Sequence, residues 1–139
     1  MKKIYKYLLA LLSIGVIVIL IVWQVIFKKS DSSVKDSKAE YQVDAIQILN
    51  QFESNEELAN QQYLGKVIIV AGMLESIKKT DTEVSLVLKQ KDDLSGILCS
   101  FDKSAIDVSK LIIGTTIKVK GICTGYLIDV VMNKCSIVE

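Results

Sequence analysis

The sequence predicts an all-β fold with short helices: a five-stranded barrel led in by one or two short helices and preceded by an N-terminal transmembrane helix. Three observations carry that expectation. Residues 8–27 are uncharged and almost wholly apolar, residues 40–63 repeat their apolar positions every three to four residues, and from residue 64 β-branched runs alternate and break at glycines. The 139 residues thereby divide into a basic N-terminus (1–7), a membrane helix (8–27), a flexible linker (28–39), a helical lead-in (40–63) and the barrel (64–139).

The apolar run LLALLSIGVIVILIVWQVIF is polar only at Ser13 and Gln24. As a helix rising ~1.5 Å per residue it would reach about 30 Å, the thickness of a bilayer's hydrocarbon core. Tyr5, Tyr7 and Trp23 suit the two interfaces. The alternative is a cleaved signal peptide, but the run exceeds the usual h-region and lacks a small-x-small cleavage site. Lys2, Lys3 and Lys6 flank one end and Lys28, Lys29, Lys35 and Lys38 the other, so the positive-inside rule is nearly tied. A short basic N-terminus followed by an apolar run and a polar body places the domain outside the cytoplasmic membrane. The linker KKSDSSVKDSK has nothing to bury and reads as a tether.

In the lead-in, Val43, Ile46, Leu49 and Phe52 mark the apolar stripe of an amphipathic helix. SNEE then predicts a capping box, with Ser54 as N-cap and Glu57 returning to it, opening a second helix whose Leu58 and Ala59 face inward.

Five strands follow. KVIIVAGMLESI is interrupted at Gly72, where a bulge or bend is expected. TEVSLVLKQ alternates, with Val84, Leu86 and Leu88 on one face. KDDLSG is a turn, GILCSF the third strand, and DKSAIDVSKL a helical turn across the end of the sheet. GTTIKVKGIC places Ile117 and Val119 inward and Lys118 and Lys120 outward; TGYLID turns the chain into VVMNKCSIV. Closing such a sheet removes exposed edges, which favours a Greek-key barrel of the OB-fold type over an open α+β sheet.

Composition excludes much chemistry. The chain has no His, Arg or Pro. It therefore has no imidazole base, no His metal ligand and no guanidinium fork for phosphate. No catalytic constellation, metal site or cofactor motif is present, so no enzyme is expected. Asp92 and Asp93 lack the further spaced oxygen ligands that calcium requires. From Glu40 onward there are ten lysines against fourteen carboxylates, so the body is acidic and nucleic acid would lack its main attraction.

The segments NEELANQQYLGKVIIVAG, SLVLKQKDDLSGILCSF and LIIGTTIKVKGICTGYLIDVVMNKCSI resemble the bacterial tRNA_anti-like family of OB-fold, lipoprotein-like proteins. The matching positions are Asn55, Ala59, Tyr63, Gly65, Lys66 and Gly72, then Cys99 and Phe101, then Gly114, Gly121, Cys123, Gly125 and Cys135. This likeness runs from about Gln51 to the end. It implies an OB barrel and export, often with a lipid anchor, and no established activity. This chain departs from that pattern by using a membrane helix in place of a lipidated cysteine.

The function expected is a membrane-anchored, non-enzymatic binding or scaffolding module outside the cytoplasmic membrane. Its partners are the bilayer through residues 8–27 and a protein or small ligand. A cytoplasm-facing binder of single-stranded nucleic acid is the alternative. Candidate ligand-surface residues are Lys79, Lys89 and Tyr126, the last as a stacking residue in the turn between the final strands. Cys99 and Cys123 share inward parity with their neighbours, and buried free thiols are the default. Because the third and fifth strands of an OB barrel are neighbours, Cys99 and Cys135 are the disulfide candidates, whereas Cys123 and Cys135 are not a pair.

Overall fold

The computed structural model describes residues 15–20, 34–90 and 93–138. The chain divides into two compact units, Met1–Asp31 and Ser32–Glu139. In the first, residues 15–20 are helical and Val16, Ile17, Val18, Ile19 and Leu20 are exposed. The rest of the expected membrane helix, and the start of the linker, lie outside the described residues. Among the described residues, no helix is long and apolar enough to cross a membrane.

The end of the linker does not behave as a free tether. Val34 is 4% exposed, and Lys120 Nζ donates to the Lys35 carbonyl at 2.8 Å, so residues from 34 onward belong to the domain. The helical lead-in also needs correcting, because it begins as a strand. Strand β1 (Tyr41–Asp44) runs parallel to β2 (Val67–Lys79), pairing Tyr41 with Ile68 and Asp44 with Ala71. Helix α1 (Ala45–Ser54) follows directly and buries Ala45, Ile48, Leu49 and Phe52. That i, i+3, i+4, i+7 spacing is the true stripe; Val43 belongs to the strand, and Ile46 is 39% exposed.

Helix α2 (Glu56–Tyr63) is capped by Asn55, whose Oδ1 accepts from Leu58 N at 3.0 Å, not by Ser54. Both residue types cap well, so the pattern alone left a one-residue slip. Ala59 and Tyr63 face the core, while Leu58 is 60% exposed.

The remaining strands are β3 (Glu83–Leu88), β4 (Ile97–Asp102), β5 (Thr116–Tyr126) and β6 (Val130–Val138), with short 3-10 turns at Lys103–Ala105 and Val108–Lys110. The sheet order is β1-β2-β3-β4-β6-β5, and a further pairing of β2 with β5 closes five strands into a barrel. One edge of β2 is shared: β3 covers Leu74 to Lys79, and β1 covers Ile68 to Ala71. The short β1 thus pairs backbone groups that would otherwise be an open edge.

Inside, Leu74, Leu86, Leu88, Ile97, Phe101, Val119 and Met132 are almost completely buried. Two helices close one end of this barrel. Phe52 of α1 stacks on Tyr126 with ring centroids 5.3 Å apart, and Tyr63 of α2 meets Tyr41 edge-on at 5.3 Å. Tyr63 donates to Gln51 Oε1 at 2.6 Å, and Ser95 Oγ to Glu53 Oε1 at 2.7 Å, so the helices are tied by polar bonds as well as packing. Gly72 accepts the start of α1: a Cβ there would come 2.9 Å from Ala45 Cβ and 3.1 Å from Leu88 Cβ. The register shift of β2 falls between Leu74 and Ser76, two residues past the glycine at which the sequence suggests a bulge or bend.

Candidate ligand face

OB-folds bind their ligands on the outer face of their second and third barrel strands, between the loops joining strands one to two and four to five. Here those strands are β3 and β4, and the loops are residues 80–82 and 127–129. Register fixes what the face presents, since directly paired residues share a face. Glu83 pairs with Asp102, Ser85 with Ser100, and Val87 with Leu98. On the neighbouring β2, Lys78 pairs with Ser85 and Ser76 with Val87.

The face is therefore graded. At the hairpin end two carboxylates stand opposite one another, where like charges repel. A row of one lysine and two serines comes next, followed by the half-buried pair Val87 and Leu98. None of these positions is aromatic. The surface can offer hydroxyl hydrogen bonds and an apolar contact, and it lacks both stacking platforms and a cationic groove for single strands.

The three residues expected to form a ligand surface do not come together. Lys79 pairs with Val84, an inward position, and is exposed at the barrel mouth beyond Phe101. Its neighbour Lys78 holds the outward place, which the core parity of Ile77 and Leu86 could have indicated. Lys89 lies past the other end of β3, about 17 Å away at the rise of a strand. Tyr126 is half-buried with one ring face against Phe52, and burial, then Glu53, Glu56 and Asp129, push its hydroxyl pKa up. Those carboxylates surround it with charge that repels phosphate.

Thiol positions follow the alternation in two cases and a bulge in the third. Cys99 and Cys123 both pair with Met132, from opposite sides of β6. Cys135 Sγ donates to the Met132 carbonyl at 3.4 Å. All three thiols are free and buried. Cys99 is held well above its ordinary pKa, first by its hydrogen bond with the Cys135 thiol and then by burial; burial also raises Cys123. Among the described residues, no group of three or more Cys, Asp or Glu is arranged to hold a metal ion.

A closed five-strand barrel plugged by short helices, with this outer face, defines an OB-fold domain. The chain belongs to the tRNA_anti-like family, whose profile matches residues 1–137. That match takes in the N-terminal apolar run and the linker, which the likeness starting near Gln51 left out. A crystal structure described as a putative nucleic acid-binding lipoprotein from Klebsiella pneumoniae is similar at a TM-score of 0.59 and 18% identity, over 79% of this chain and 98% of that one. Asparaginyl-tRNA synthetase from Pyrococcus horikoshii is matched at a TM-score of 0.41 and 15% identity, over 56% of this chain and 20% of that one. No curated protein matches the sequence.

The positions that carry the family likeness are architectural. Asn55 caps α2, Ala59 and Tyr63 seal the helical plug, Lys66 Nζ bonds Glu40 Oε2 at 2.9 Å, and Cys99, Phe101 and Cys123 are core. They are spread through the barrel and gather into no site.

Proposed function

We propose that this protein is a membrane-anchored, non-enzymatic OB-fold binding module, displayed outside the cytoplasmic membrane, whose ligand is a protein or small molecule met on the β3–β4 face. The observation that carries the reading is the makeup of that face: Glu83 beside Asp102, then Lys78 with two serine hydroxyls, then the apolar pair Val87 and Leu98. Such a surface suits a polar-apolar partner and repels polyanions. Support for the anchor comes from the uncharged run 8–27 and its flanking lysines.

Protease treatment of intact spheroplasts tests the display: the reading expects the domain to be digested, and full protection overturns it. The second reading, a cytoplasm-facing binder of single-stranded nucleic acid, draws on the description of the Klebsiella protein. It requires the opposite orientation, so the same digestion separates the two.

A further inference from the structure

Two buried thiols, on the inner side of the barrel wall and away from the β3–β4 outer face, lie within hydrogen-bond reach of each other. Cys99 on β4 pairs in register with Met132 on β6, and Cys135 folds its sulfur back onto the carbonyl of that same Met132. A bulge brings this about. Val130 and Met132 point inward, so simple alternation would carry Lys134 into the core and Cys135 out to solvent. Instead, Lys120 pairs with Ser136 and Ile122 with Asn133, which leaves Lys134 and Cys135 both opposite Gly121. Lys134 takes up the extra residue at φ 52°, and Cys135 turns inward to 4% exposure. Gly121 provides the room, having no side chain where the sulfur sits. Cys123 is set apart, because Met132 stands between it and Cys99.

We propose that Cys99 and Cys135 are a built cross-linking pair, joined by a disulfide when the domain meets a disulfide oxidant. The two thiols give up two protons and two electrons, an S–S bond forms between β4 and β6, and the oxidant's own disulfide is reduced to two thiols. The bond fastens a weak seam: pairing of β4 with β6 ends at Cys99 and Met132, and beyond it β6 is held by β5. Both sulfurs are buried, so the reaction proceeds through opening of the C-terminal part of β6.

The test uses the full chain in detergent, equilibrated with a buffer of oxidised and reduced glutathione at a temperature where β6 amides exchange. Samples are acid-quenched, alkylated under denaturing, non-reducing conditions and analysed by mass. The expected result is loss of two alkylation sites, one linked peptide pair containing Cys99 and Cys135, alkylated Cys123, and a higher melting temperature than the reduced chain. The Cys123→Ala variant should behave in the same way, whereas Cys99→Ala and Cys135→Ala should keep both remaining thiols. Three alkylated thiols, a linked peptide containing Cys123, or only mixed disulfides with glutathione would each overturn the proposal.

Discussion

Gly121 faces Cys135 across the β5–β6 ladder so closely that a Cβ on the glycine would lie 2.6 Å from the cysteine Sγ. A methyl group there would have to displace the cysteine sulfur, and the Asn133 carbonyl and the Met132 methyl, each at 3.2 Å, would have to give as well. Gly121→Ala should therefore destabilise the domain by about 1–3 kcal/mol, the usual cost of overpacking a filled core. Denaturant titration of Gly121→Ala in the Cys135→Ala background checks the cause. Partial recovery is expected, and strict additivity of the two substitutions would remove the steric account.

Phe52 joins the helical plug to the barrel through Tyr126 and Tyr63, at centroid distances of 5.3 and 6.2 Å, and is 1% exposed. Phe52→Ala should cost about 3–5 kcal/mol. The near-UV circular dichroism of the tyrosines should weaken with it, because their rings lose a fixed neighbour.

Asn55 offers a cleaner local test. Its side chain satisfies the Leu58 amide, one of the unpaired donors at the start of α2. Asn55→Ala should lose about 0.5–2 kcal/mol while Asn55→Asp, an equally good cap, should lose little. Equal losses in both, by thermal melts, would place the role of Asn55 elsewhere.

Alkaline pH should unfold the domain. Cys99 and Cys123 have pKa values raised above an ordinary 9.0, and Tyr63, desolvated by burial, is raised above 10.0. Each acid keeps its proton longer when folded, so the native state holds more protons than the unfolded chain as pH rises past those ordinary values. Stability must then fall with pH, beginning near pH 9. The Cys99→Ala, Cys123→Ala double variant should shift the onset upward by about one pH unit, to where the raised Tyr63 and Tyr126 hydroxyls take over, as read from urea midpoints across the series.

Much of the barrel was legible because strands β3 and β4 repeat with a period of two, so the inward places of Val84, Leu86, Leu88, Ile97, Cys99 and Phe101 follow from alternation. Strand β1 was hidden: its Val43 happens to continue a helical spacing, and its pairing with β2 is a contact across more than twenty residues that leaves no local mark. Barrel topology makes the strands of Cys99 and Cys135 neighbours, but the bulge that turns Cys135 inward breaks the alternation and has no signature in VVMNKCSIV. The ligand face depended on register. Lys78 or Lys79, and the meeting of Glu83 with Asp102, are settled by a one-residue choice that turn residues alone do not fix.

Filter retention of mixed-sequence single-stranded oligonucleotides by the full chain, measured from low salt upward, decides whether the β3–β4 face repels polyanions. The face described here predicts no retention above background at any salt concentration. Retention that falls steeply with added salt, and that is lost in a Lys78→Glu, Lys89→Glu variant, would contradict it.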